Sequence, residues 1–205
     1  MWQSQTKHNM ATQLQSPGTM ANDNSFGLHA WIDPDNAKTS NDTYTTSTNS
    51  STAYDSSSSQ YLVATNLGFS IPTGATINGI VVELEMKANY LDANKQVSYY
   101  NGLSILKESS IVGTPENGSS PYQFPTTEAY KTFGSSSSLW GTTWTSSDIN
   151  DSGFGIRFKT NLQTNNNWNS TSYTIIASID HIRITVYYTE EGTSTNTTNF
   201  FQFIN

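Results

Sequence analysis

Residues 71–88 read IPTGATINGIVVELEMKA, and this stretch decides the fold. A turn at residues 72–74 is followed by a strict two-residue alternation, in which apolar and polar side chains fall on opposite faces: Ile80, Val82, Leu84, Met86 and Ala88 on one, Glu83, Glu85 and Lys87 on the other. Successive side chains of a strand point to opposite faces, so the pattern predicts one buried and one solvated face. Such a strand belongs to an antiparallel sandwich, because a buried parallel strand is apolar on both faces.

The rest of the chain repeats this kind of pattern between turn-rich segments, and no segment shows helical periodicity beyond one turn. In the last long strand the apolar phase changes at Asp180–His181, which predicts a β-bulge. Thr145, Ser146 or Ser147 is expected to cap a single helical turn. We predict an all-β fold, a single antiparallel, jelly-roll-like β-sandwich with extended N- and C-terminal arms. The predicted parts are an arm over 1–15, the sandwich over 16–189, and a spacer with an apolar tail strand over 190–205.

Charge and composition exclude several classes of function. The 205 residues carry a net charge of −7, and the nine Lys and Arg are scattered along the chain. Nucleic acid requires clustered basic residues, so we expect no nucleic-acid partner. No apolar run approaches the roughly 20 residues of a membrane span. The absence of cysteine removes disulfides, thiolate zinc sites and cysteine nucleophiles.

No pattern in the sequence predicts catalysis. The GxSxG motif is missing, and the three histidines are His8, His29 and His181. His181 follows Asp180 on a strand, which sends neighbours to opposite faces and disfavours a dyad. Glu83 and Glu85 are interpreted as a solvated strand face rather than a glycosidase pair. We therefore expect a protein that is not an enzyme and has no catalytic residues.

Two kinds of binding site remain open. Asp33, Asp35 and Asp42 offer hard oxygen ligands within one loop region, so a structural Ca²⁺ is the one cofactor considered, although the same residues suit ordinary turns. Trp168 and Tyr122 are the candidate carbohydrate contacts, since aromatic faces stack on sugar rings, whereas Trp140 and Trp144 are expected to plug the end of the sandwich. Six Asn-x-Ser/Thr triplets are about the number expected by chance, so glycosylation is left open.

Several segments together resemble a family of β-sandwich proteins predicted on phage particles and in the surface proteins of environmental bacteria. They are SPGTMAND (16–23), WIDPDNAKTSNDTY (31–44), FSIPTGATINGIVVELE (69–85), LWGTTWTSSDIN (139–150), SGFGIRF (152–158) and IDHIRITVYYT (179–189). The resemblance implies a jelly-roll-like module without catalysis that builds or decorates an extracellular or virion assembly. Residues 1–15 and 190–205 lie outside it.

The C-terminal segment NFFQFIN (199–205) is the strongest pointer to function. Burying each of its large apolar side chains is worth about 1.5–3 kcal/mol, so the segment either folds back or adds a strand to another copy. The predicted subunit contacts are Phe200, Phe201, Phe203, Ile204 and, in the arm, Trp2.

We therefore expect a non-catalytic structural protein that self-assembles into an extracellular fibre, filament or virion-associated assembly. The expected location is extracellular, on a cell-surface appendage or on a virion, and the expected partners are copies of itself and glycans. The alternative is a carbohydrate-binding module of a secreted or virion protein.

Overall fold

The computed structural model describes residues 8–92, 95–99, 101–115, 122–164 and 172–191. These residues form fifteen strands and one short helix, α1, at Ser146–Asn150. The strands are β1 His8–Gln15, β2 Thr19–Asp23, β3 Trp31–Ile32, β4 Thr45–Ser51, β5 Asp55–Ser58, β6 Tyr61–Thr65, β7 Thr76–Ala88, β8 Gln96–Tyr99, β9 Leu103–Lys107, β10 Ser110–Val112, β11 Tyr122–Gln123, β12 Ala129–Ser135, β13 Gly155–Phe158, β14 Asn161–Thr164 and β15 Tyr173–Glu191.

Sheet 1 is built around the long strand β15, and its order is β12-β7-β15-β4-β3. One edge of β15 pairs with β7. Its other edge is shared end to end: β4 pairs with residues 173–179 and β1 with residues 184–191. The segment from His8 to Gln15, which the sequence places in an arm, is therefore a strand of this sheet.

Sheet 2 consists of two consecutive parts with the orders β10-β9-β13-β6-β2 and β11-β8-β14-β5. Three of its strands continue from one part into the other, since only two or three residues separate β5 from β6, β8 from β9 and β13 from β14. Backbone hydrogen bonds cross this bend, from the Lys159 amide to the Gly102 carbonyl and from the Ser59 amide to the Thr160 carbonyl. A side chain at Gly102 would lie 2.3 Å from the Lys159 carbonyl oxygen, so glycine permits the close approach.

The core lies between the two sheets and confirms the predicted dry face. Ile80, Val82, Leu84 and Met86 of β7 are fully buried. They share the core with β13 and β15 residues such as Ile156, and an edge-on ring contact joins Phe69 to Phe154. Paired strands are antiparallel in both sheets, so the predicted all-β antiparallel sandwich is confirmed.

Two local predictions are confirmed as well. The register of β15 against β7 shifts between Ile179 and His181, which is the predicted β-bulge. Helix α1 begins with a capping box, in which the Thr145 hydroxyl accepts from the Asp148 amide and the Asp148 carboxylate accepts from the Thr145 amide.

Candidate functional site

Eight ionisable side chains that interact with one another lie around the β-bulge of β15, and we call them the bulge cluster: Asp42, Tyr44, Glu85, Lys87, Glu128, Tyr130, Asp180 and His181. The extra residue is Asp180, which is 1% exposed. Its carboxylate accepts hydrogen bonds from the backbone amides of Asn41, Asp42 and Thr43 at 2.9–3.2 Å. One buried carboxylate therefore fixes the loop that covers the outer face of sheet 1.

His181 sits beside Asp180 and is hydrogen bonded through both ring nitrogens. Its Nε2 lies 2.8 Å from the Ser16 hydroxyl, and its Nδ1 lies 2.8 Å from the Tyr130 hydroxyl. Burial lowers the pKa of His181, although Glu85, Asp180 and Glu83 oppose the shift. The ring therefore joins the β1–β2 connection to β12, and neither nitrogen is hydrogen bonded to Asp180.

The bulge alters the geometric argument made from the sequence. Neighbours on a regular strand face opposite ways, but the inserted residue lets Asp180 and His181 both contact elements on the outer side of sheet 1. They still form no dyad, because their hydrogen-bond partners differ.

Three carboxylates of the cluster lie close together. Ligand oxygens of Asp42, Glu128 and Asp180 are within 4.8 Å of one another. The Tyr44 hydroxyl donates toward Asp42 at 3.1 Å and toward Glu128 at 3.2 Å, and the Lys87 ammonium lies 3.8 Å from the centre of the Tyr44 ring. Burial raises the pKa of Glu128. Hydroxyl, amide and ammonium donors thus already offset part of the negative charge.

The three aspartates predicted as calcium ligands do not lie in one site. Only Asp42 belongs to the carboxylate group, and its companions come from β15 and from the residue before β12. Asp35 instead forms an exposed ion pair with Lys38 at 2.7 Å, and Asp33 precedes the 3-10 turn at Pro34–Ala37. A calcium ion held by all three aspartates stays a prediction, but this geometry does not bring them together.

A second feature is the free edge of β1, which we call the open edge. Residues 8–15 pair with β15 along one side, and no strand among the described residues pairs with the other side. Met10 and Leu14 are 74% and 52% exposed, while Ala11 packs against the core. The Gln13 side chain ties β1 to the segment before β7: its Nε2 donates to the Ser70 carbonyl, and its Oε1 accepts from the Ser70 amide. The strand is therefore anchored to the sandwich, while none of the described strands pairs with its outer edge.

The predicted sugar contacts have different settings. The Tyr122 ring packs on Tyr99 with ring centroids 5.4 Å apart, and the Lys131 ammonium lies 4.0 Å from its centre. Its aromatic surface is already in use, although the residue borders a groove on sheet 2. Trp168 lies outside the described residues. Trp140 and Trp144 are buried in the core, as expected.

The predicted subunit contacts cannot be placed by the described structure: Trp2, Phe200, Phe201, Phe203 and Ile204 all lie outside its residues. Sequence reasoning missed Met10 and Leu14 as contact candidates because a short polar segment with two separated apolar residues reads as an arm. The alternation of Met10, Thr12 and Leu14 against Ala11 and Gln13 was the available signal. Glu128 carried no such signal, since tertiary pairing alone brings it to the cluster.

Comparison with solved structures finds a likeness of low similarity. No family model and no curated protein match this chain. A crystal structure of domains CD (residues 230–489) of another protein matches with a TM-score of 0.37 and 16% identity. The match covers 82% of this chain and 65% of that one. At this TM-score and identity, neither the fold nor the activity of that protein can be assigned to this chain. Of the resemblance to phage and surface proteins, the structure supports only the all-β fold.

Within the described part of the chain, no helix has the length and apolar character needed to cross a membrane.

Proposed function

We propose that this protein is a non-catalytic structural β-sandwich that assembles with copies of itself by adding the C-terminal segment of one copy to the open edge of the next. The observation that carries the proposal is the unpaired side of β1 with its exposed Met10 and Leu14. Strand addition joins backbone groups along such an edge and uses side-chain contacts to set the register. A head-to-tail contact that does not close yields a filament or lattice.

The open edge lacks the features that normally protect sheet edges. Natural edge strands are short or carry charges, prolines or bulges. The other edges follow this rule: β3 and β11 have two residues, β10 has three, β2 and β5 each include an aspartate, and β12 carries Lys131. By contrast, β1 has eight residues, and Asn9–Gln15 contains neither charge nor proline. An uncharged edge with two exposed apolar side chains favours association.

The C-terminal segment is the natural occupant of this edge. The last described residue, Glu191, pairs with His8, so the chain leaves β15 at the start of β1. Residues 192–198 span at most about 24 Å, whereas β1 is about 26 Å long. The apolar segment of the same molecule therefore reaches this edge most readily in the parallel direction. A neighbouring copy has no such restriction and can pair antiparallel, which is the slightly more stable arrangement.

A structural role also agrees with the chemistry of the bulge cluster. Asp180 holds three loop amides, and His181 joins two segments through its ring nitrogens. These hydrogen bonds stabilise the fold and account for the positions of Asp180 and His181 without a catalytic role. Placement of the assembly outside the cell, on an appendage or virion, follows from the resemblance and belongs to this proposal.

Two variants test the proposal by light scattering and negative-stain microscopy. Deleting residues 192–205 removes the donor, and Met10→Lys with Leu14→Lys places charges on the acceptor. Both are expected to abolish the large particles of the full-length protein. Leu28→Lys is the matched control, because Leu28 is 76% exposed but lies outside β1. Unchanged particles in either test variant would refute the proposal.

A further inference from the structure

The outer face of the four-stranded part of sheet 2 is covered by uncharged polar side chains, and we call it the amide face. Its outward side chains alternate with buried residues such as Val97 and Leu162. They carry only hydroxyl or carboxamide groups: Ser56, Gln96, Ser98, Gln123, Asn161 and Gln163. This face differs from that of β7, which carries Glu83 and Lys87, and it is uncharged like the outward residues Thr46, Thr48 and Ser50 of β4. It therefore presents neutral donors and acceptors, three of them long glutamine side chains.

A groove of about 720 Å³ runs over this face. Its lining combines the polar side chains of Gln96, Ser98, Gln123 and Gln163 with Leu91, Tyr122 and Pro125. The volume falls within the range of roughly 300–1,000 Å³ typical of small-ligand sites. A lining that mixes hydrogen-bonding groups with apolar carbon suits a sugar ring, which presents both hydroxyls and C–H groups.

The amides retain hydrogen-bonding capacity for a ligand. Gln123 Nε2 donates to Gln96 Oε1, and Gln96 Nε2 donates to Gln163 Oε1 at 3.4 Å. Each carboxamide has two N–H donors and an oxygen with two lone pairs, so the hydrogen bonds among the described residues use only part of what the three side chains offer. It also orients them. Oriented groups that both donate and accept suit sugar hydroxyls, which do the same.

The charges near the groove favour a neutral ligand. The Lys131 ammonium covers the Tyr122 ring, and Lys95 pairs with Asp92 at 3.1 Å while facing the Tyr173 ring at 4.5 Å. Both cations are therefore engaged, and the chain as a whole carries −7. An anionic ligand would meet this net negative charge without a dedicated cation on the amide face.

We propose that the amide face binds a neutral oligosaccharide through Gln96, Gln123 and Gln163, with Leu91 and Pro125 against the sugar ring. This site is separate from the open edge and does not depend on assembly. It differs from aromatic stacking by Tyr122, whose ring is already packed. Because hydrogen bonds dominate, truncating one glutamine is expected to weaken binding about three- to tenfold.

The test uses the full chain and saturation-transfer difference NMR. The probes are neutral hexasaccharides of glucose, xylose and mannose, with hexagalacturonate as the charged counterpart. At least one neutral probe is expected to bind at millimolar concentration. The double variant Gln96→Ala with Gln163→Ala should lose the signal, and the near-isosteric Gln163→Glu should weaken it without altering the near-UV circular dichroism.

The matched control is Gln60→Ala, because the Gln60 carboxamide bonds Asn22 and lies outside the groove. This variant should bind as the unmodified chain does. The proposal is overturned if no neutral probe binds, if only hexagalacturonate binds, or if both groove variants bind like the control.

Discussion

The two halves of β15 differ in what lies beyond their neighbouring strands. Residues 173–179 pair with β4, and β4 pairs in turn with β3. The loop at residues 41–43 is hydrogen bonded to Asp180 in the adjacent bulge. Residues 184–191 pair with β1, beyond which no described strand follows. We call residues 173–179 with the bulge the closed half, because polar groups there hold the loop and the sheet together. Residues 184–191 are the open half, because their partner β1 has an edge that no described strand pairs with. A single long strand can therefore have one half that is covered on both sides and another half that lies next to the edge of the described sheet.

The largest effect should come from the closed half. Replacing Asp180 by alanine leaves three loop amides without their acceptor, so Asp180→Ala should lower the free energy of unfolding by about 3 kcal/mol. Urea denaturation measures this change. As the control, Asp35→Ala removes an exposed ion pair and should cost no more than about 1 kcal/mol. Equal losses in the two variants would mean that Asp180 does not hold the loop.

A smaller, pH-dependent effect should come from His181. Burial depresses its pKa in the folded state below the ordinary value of 6.5, so the unfolded chain takes up the proton first. Stability is therefore complete above pH 6.5 and falls as the pH drops through the folded pKa. Glu85, Glu83 and Asp180 reduce the shift and Arg183 adds to it.

Urea unfolding between pH 7.5 and 5.5 tests this prediction. His181→Gln should flatten the pH dependence, leaving the contribution of His29, whose pKa burial also lowers. A pH dependence identical in His181→Gln and the unmodified chain would show that the His181 ring does not titrate in this way.

The smallest effect on stability should come from the open half. Met10 and Leu14 are mostly exposed, so replacing either by lysine should change the free energy of unfolding by less than about 0.5 kcal/mol. Thermal and urea unfolding of the single variants provide the measurement. A loss above about 2 kcal/mol would place these side chains in the core and remove the contrast between the halves.

The sequence predicted local features well because each depends on neighbouring residues. The phase change at Asp180–His181 predicts the bulge, and Thr145 predicts the helix cap. What fills the bulge depends on a loop about 140 residues away, which no local pattern encodes. The strand character of His8–Gln15 was missed for a related reason: an edge strand with one wet face needs few apolar residues, and Ala11 is enough to contact the core.

The amide face illustrates the same limit. Gln96, Gln123 and Gln163 are far apart in the chain and individually resemble ordinary polar strand residues. Only the order of β11, β8 and β14 brings them side by side. The sequence predicts Tyr122 as a sugar contact, but its ring packs on Tyr99 in the structure. The neighbouring glutamine side chains are therefore the better candidates.

The central claim is that the C-terminal segment of one copy pairs with the open edge of another, and mixing two defective variants tests it most directly. The chain lacking residues 192–205 keeps the acceptor edge, and the Met10→Lys, Leu14→Lys chain keeps the donor. Each alone should be monomeric in size-exclusion chromatography with multi-angle light scattering, and an equimolar mixture should give a one-to-one heterodimer. A mixture that remains monomeric, or either variant assembling alone, would contradict the claim.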